Sequence, residues 1–125
     1  MLQIISTENA PAAIGPYNQA VRHANTLYCS GQIGLIPATG ELADGLEAQV
    51  RQAFSNLRAV VAEAGAEFNQ VVKFTLFVTD INNFALVNSI MSEYVAQPYP
   101  ARSCVEVSAL PKGALFEIEA IVALA

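Results

Sequence analysis

Two runs near the C-terminal end carry most of the side chains able to do chemistry. Polar and apolar residues alternate in Pro100-Ala101-Arg102-Ser103-Cys104-Val105-Glu106-Val107, and again in Leu115-Phe116-Glu117-Ile118-Glu119-Ala120-Ile121-Val122. Such alternation marks half-buried strands, whose successive side chains point to opposite faces. Arg102, Cys104 and Glu106 share one face of the first run. In the second, Glu117 and Glu119 lie opposite the apolar set Phe116, Ile118, Ala120 and Val122. The intervening Leu110-Pro111-Lys112-Gly113 supplies Pro and Gly where a reversal needs them, so the two runs read as a strand pair. One sheet face is then expected to gather a guanidinium, a thiol and carboxylates among aliphatic neighbours. Buried charge is costly unless it is paired. These groups must therefore neutralise one another or hold a ligand. Arg102 reads either as an ion-pair partner of Glu106, Glu117 or Glu119, or as the anchor of an anion.

Other chemistries find little support. A nucleophilic thiol wants a paired base, and nothing in the spacing links the only histidine, His23, to Cys104. One histidine and two distant cysteines, Cys29 and Cys104, do not form a metal-ligand set. No Gly-rich phosphate loop is present.

The elements that must position these residues can be read along the chain. Leu2–Ile5, Tyr17–His23 and Thr26–Ile33 are strand candidates, the last two joined at Ala24-Asn25. A helix is marked by Leu46, Val50, Phe54, Leu57, Val61 and Ala64, with Asp44 and Glu47 as a capping pair and Gly65 as its end. Val71–Val78 reads as a central strand with Val72, Phe74, Leu76 and Val78 apolar. A second helix follows, capped by Asp80 or Asn82, with Phe84, Val87, Met91 and Tyr94 on one side. The order is β-β-β-α-β-α-β-β, with no repeat or linker, and 1–125 is expected to be one domain.

Two helices cover only one face of a sheet of about six strands. The bare face is expected to show Val71, Phe77, Leu115 and Ile121 beside Lys73, Thr75, Arg102 and Glu119. Composition agrees with a covered surface: 54% of residues are hydrophobic and only 14% charged, against the usual quarter. That shortage points to contact with other subunits. The net charge of −5 argues against a nucleic-acid groove. Cysteine usage suggests a reducing compartment. With no apolar run of membrane length and no basic leader, the cytoplasm is the expected location, with no membrane partner.

The sequence resembles the reactive intermediate deaminase family, also called YjgF/YER057c/UK114. The likeness runs from Glu8-Asn9-Ala10-Pro11-Ala12-Ala13-Ile14-Gly15-Pro16-Tyr17 through Ser30-Gly31-Gln32-Ile33 and Thr39-Gly40-Glu41. It continues through Val72-Lys73-Phe74-Thr75, Phe77-Val78-Thr79-Asp80, Phe84 and Val87-Asn88. It closes on the Pro100–Val107 block, Leu110-Pro111-Lys112 and Glu117-Ile118-Glu119-Ala120. The resemblance implies an α+β, chorismate-mutase-like fold and a homotrimer with clefts at the subunit boundaries. It implies hydrolysis of 2-imino acids, such as 2-iminobutanoate and 2-iminopropanoate, to 2-oxo acids and ammonia, without a cofactor. The implied site residues are Tyr17, Ser30, Asn88, Arg102, Cys104 and Glu117. One segment, Met91–Tyr99, is shorter than the family pattern.

Each of these types suits such a substrate. A planar two-pronged donor such as Arg102 matches a carboxylate. Glu117 would orient and partly deprotonate a water, then return the proton to nitrogen. Burial raises its pKa and a nearby Arg102 lowers it, leaving the sign open. Cys104 reads as a pocket wall or a buried structural residue, and Tyr17 as a pocket closure or simple packing. Ser30-Gly31 lets backbone N–H groups approach an anion, or marks a bulge. Asn88, mid-helix, either makes a cross-subunit hydrogen bond or faces solvent. Two other functions remain open: a non-catalytic binder of small carboxylates, and an endoribonuclease or translation inhibitor, which the acidic balance disfavours.

Overall fold

The computed structural model describes residues 1–125. Three strands come first: β1 (Gln3–Ile5), β2 (Ala20–His23) and β3 (Thr26–Ile33), each antiparallel to the next. Helix α1 (Leu46–Glu63) leads to β4 (Val71–Val78), and α2 (Phe84–Tyr94) leads to β5 (Ala101–Glu106), parallel to β4. The chain finishes with β6 (Phe116–Ala123). All six strands form one sheet in the order β1-β2-β3-β6-β4-β5. This is an α+β fold with a mixed sheet and both helices on one face, the chorismate-mutase-like architecture that the resemblance implied.

The expected pairing of the last two strands does not occur. β6 inserts between β3 and β4, antiparallel to both, and β4 separates it from β5. Burial explains the choice. Phe116, Ile118, Ala120 and Val122 of β6 are all nearly inaccessible under the helices, whereas β5 is mostly exposed. The more apolar strand takes the centre, and the strand with a guanidinium and a carboxylate takes the edge.

The core lies between the sheet and the helices. Helix α1 buries Val50, Ala53, Phe54, Leu57, Val60 and Val61, the periodic stripe of an amphipathic helix. Phe54 sits at its middle, with Tyr94 stacked at 5.0 Å, Phe116 at 5.9 Å and Phe74 edge-on at 6.3 Å. Gly65 ends α1, with the Ala66 N–H donating to Val61 O. The expected Asp44 cap is absent. The cap position falls instead to Gly45, at a φ of +88 that favours glycine, with no side-chain bond. Asp80 does cap, accepting the Asn82 N–H at 2.9 Å, but it caps a short tight turn ahead of α2. On α2 the buried residues are Val87, Ile90 and Met91. Phe84 and Tyr94 are partly covered.

In β4 the inward set is Val71, Phe74, Leu76 and Val78. A bulge between Val71 and Lys73 turns Val72 outward, leaving it 48% exposed. The bare face therefore carries Lys73, Thr75 and Phe77 with Ile121, Glu119, Tyr28 and Val105. Val71 and Arg102, expected there, point to the opposite face. No helix is long and apolar enough to cross a membrane.

Candidate functional site

Pairing register fixes which face each reactive side chain takes. Cross-strand partners point the same way. Phe74 pairs with Arg102 and Ala120, Leu76 with Cys104 and Ile118, and Val78 with Glu106 and Phe116. Arg102, Cys104 and Glu106 thus share the helix-covered face with the core. Phe77 pairs with Glu117 and Thr75 with Glu119, so both carboxylates lie on the bare face. The sequence expectation of one face gathering all these groups is corrected: alternation gives the two sides of a strand, but the interposed β4 sets how two strands align.

Around Arg102, β5 and α2 form a pocket. Its guanidinium donates through Nη1 to Asn88 Oδ1, lies 3.7 Å from Met91 Sδ, and sits 4.9 Å over the Phe84 ring. Adjacent space of about 350 Å³ is lined by Asn88, Met91, Val95, Tyr99 and Pro100. The Met91–Tyr99 segment thus forms one wall. None of the expected ion pairs forms. Glu106 accepts the Ile81 N–H at 2.9 Å, and Glu117 and Glu119 are on the other face. The ion pairs of the chain belong to Arg51, which bridges α1 to Glu93 on α2 at 2.9 Å. Arg102 is exposed in the protomer and has no carboxylate partner, so its guanidinium is available to an anionic ligand. Cys104 follows one pleat on, partly covered. Burial raises its thiol pKa against the opposing pull of Arg102, so it stays a thiol near neutrality.

Around Glu117, the bare face and the N-terminal loop form a second cleft of about 420 Å³, bounded by Pro11, Ile14, Tyr17, Gly31, Leu35 and Lys112. Gly31 is small for a reason. A Cβ there would lie 2.8 Å from both Cδ and Oε2 of Glu117, so the carboxylate rests directly on backbone. Ser30 and Gly31 occupy a bulge between Cys29 and Gln32. The Ser30 hydroxyl donates to Asn18 O at 2.6 Å, tying the bulge to the loop that carries Tyr17. Glu117 is half-buried, and its pKa is raised first by burial and then by the like charge of Glu119. Arg102 does not oppose this shift within the protomer.

Sequence reasoning missed Gln19, which is 3% exposed. Its Oε1 accepts the Thr7 N–H at 2.7 Å, and its Nε2 donates to Pro11 O at 2.7 Å and Thr7 O at 3.0 Å. This one amide folds the loop that walls the Glu117 cleft. An inward-facing amide at the head of a strand was the available signal. Gln49 was missed too; its Oε1 accepts the Leu115 N–H at 2.9 Å and anchors the approach to β6.

The predicted residues therefore fall into two groups. Asn88, Arg102 and Cys104 meet at β5 and α2. Tyr17, Ser30, Gly31 and Glu117 meet across the sheet. One protomer does not bring the guanidinium and the carboxylate together.

Comparison with known proteins agrees with this architecture. A 2-iminobutanoate/2-iminopropanoate deaminase of Dermatophagoides farinae is 47% identical over 98% of this chain and 96% of its own. The crystal structure of RidA from an Antarctic Psychrobacter superposes with a TM-score of 0.95 at 48% identity, covering 98% of this chain and 99% of that one. E. coli TdcF, solved with bound serine, gives a TM-score of 0.93 at 42% identity over 98% and 99% of the two chains. Names within the group are divided, and relatives of equal similarity are known simply as RutC family proteins. The profile of the family described as Endoribonuclease L-PSP matches residues 7–124. A likeness of this extent, in sequence and in fold, places the chain in the Endoribonuclease L-PSP family, that of the YjgF and RidA proteins.

Proposed function

We propose that this protein hydrolyses small 2-imino acids, such as 2-iminobutanoate and 2-iminopropanoate, to 2-oxo acids and ammonia. The sites are clefts shared between copies of a homotrimer. The observation that carries this reading is the unpaired guanidinium of Arg102 at the edge of an apolar pocket. A carboxylate-bearing substrate would supply the missing anion.

Glu117 of a neighbouring copy supplies the second group. Its raised pKa suits proton transfer near neutrality better than that of an ordinary carboxylate. As base it takes a proton from water while the oxygen attacks the C=N carbon, giving a carbinolamine. From the protonated imine this carbinolamine is neutral; Glu117 then returns the proton to nitrogen and takes the new hydroxyl's proton as the C–N bond breaks, so ammonia leaves and the carbonyl forms. Tyr17 and Gly31 wall this side of the cleft, and Cys104 contributes an apolar surface near the substrate. Water and one carboxyl group meet the chemical demand, with no cofactor.

A second reading, a non-catalytic binder of small carboxylates, is favoured by one fact: the Arg102 pocket stands without Glu117 in the protomer. The two diverge on mutation. Imine generated in situ by a threonine dehydratase should decay faster with the wild-type protein. Arg102→Ala should abolish saturation at accessible concentrations. Glu117→Gln should still bind 2-oxobutanoate but lose about 10²–10⁴-fold in turnover. An unaltered decay rate with wild-type protein would defeat the enzymatic reading.

A further inference from the structure

The Arg102 guanidinium is held from α2 by Phe84, Asn88 and Met91. These positions stand four and three residues apart, so they form one stripe along the helix facing β5. Each makes a different contact. Asn88 Oδ1 accepts from Nη1, the Met91 sulfur lies against the same nitrogen, and the guanidinium carbon stands 4.9 Å over the Phe84 ring. No protein acceptor takes Nε or Nη2. The fork is thereby held at Nη1 and over the Phe84 ring, and its Nε–Nη2 edge is free.

We propose that Phe84 is a positioning residue for the anion site: its ring, with Asn88 and Met91, locks the Arg102 plane so that the Nε–Nη2 edge meets the substrate carboxylate side-on. This rests on the deaminase reading for its ligand but not for its geometry. An arginine on an exposed edge strand otherwise samples many rotamers, and ordering it on binding would weaken affinity. A ring that holds the cation beforehand removes part of that cost. Attraction between the ring's negative face and the cation holds the guanidinium over Phe84. The free edge has the two-donor spacing that a carboxylate matches.

The test separates ring chemistry from packing. Phe84→Leu keeps an apolar side chain but removes the π-face, and Phe84→Tyr keeps it. Titration with 2-oxobutanoate should show affinity weakened about 3–10-fold in Phe84→Leu and retained in Phe84→Tyr. In imine hydrolysis the same loss should enter KM and leave kcat nearly unchanged, because the contact is equal in ground and transition states. A merely structural role would lower the active fraction and leave KM alone. If Phe84→Leu does not fold, fluorinated phenylalanines in place of Phe84 preserve shape and drain the ring's electron density. Affinity should then fall stepwise with fluorination. Affinity indifferent to both the leucine change and fluorination overturns the proposal. Should 2-oxobutanoate bind through Arg102 without any acceleration of imine decay, the deaminase reading fails and the cradle stands. Accelerated decay with unchanged KM in the Phe84 variants removes the cradle alone, and no binding of 2-oxobutanoate at all removes both.

Discussion

Glu117 carries two constraints that can be examined separately, its protonation and its position. Burial and Glu119 both raise its pKa, so the protonated form persists to higher pH than in an ordinary glutamate. The base form is lost as pH falls through that raised value. The acid limb of the kcat profile should therefore lie above the usual glutamate range, shift downward in Glu119→Gln, and vanish from the residual activity of Glu117→Gln. An acid limb at the ordinary value would refute a raised pKa for Glu117 in the assembled cleft. Position depends on Gly31. Gly31→Ala would drive a methyl group into the Glu117 carboxylate, so kcat should fall about 10-fold or more, the scale of misplacing a catalytic group by an ångström. Binding of 2-oxobutanoate should change little, since Arg102 is untouched. The residue types were legible in the sequence because each has a chemistry of its own. Their grouping was not: Arg102 and Glu117 each sit on a plainly alternating strand, yet which faces coincide depends on pairing partners that alternation does not encode.

At the scale of elements, strand and helix positions followed from local periodicity, and neighbours in space did not. Val71–Val78 and Leu46–Glu63 were readable because their patterns are long and regular. The insertion of β6 between β3 and β4 was not, because proximity in sequence favours pairing β5 with β6 and only the competition for the buried centre overrides it. Val72 escaped for a similar reason, since one extra residue in a bulge inverts the alternation around it. Loops offered least. The segment Thr7–Pro11 has no periodicity, and a single amide, Gln19, holds it. Gln19→Ala should leave buried backbone groups unsatisfied, costing about 1–3 kcal/mol in urea unfolding. Hydrogen exchange at the Thr7 amide should quicken at the same time. If that amide remains protected in the variant, the loop is held by something other than Gln19.

For the whole molecule, the bare sheet face is the dominant feature. Tyr28, Val105 and Ile121 stand exposed on it beside Phe77, a cluster of apolar side chains on an uncovered sheet face, which suits contact with another copy. The separation of Arg102 from Glu117 asks for the same remedy, since a second copy can bring to one cleft what a single copy holds on two faces. Light scattering should report three times the 13.3 kDa mass of one chain. Ile121→Glu should lower that mass and the imine-hydrolysing activity together. A sharper outcome concerns mixed assemblies. Arg102→Ala and Glu117→Gln proteins, each nearly inactive, should recover about a quarter of the wild-type rate when unfolded and refolded together, as random assortment in a closed ring predicts. No recovery would place both groups in one subunit's site and refute the shared cleft.

The central place of β6 also bears on how the chain comes into being. β1–β3 and β4–β5 share no direct ladder, and only the strand made after all of them joins the two halves. Until residues 116–123 have left the ribosome, no ladder can join the two halves. Any strands paired earlier keep open inner margins in that interval, the kind of edge that chaperones guard against.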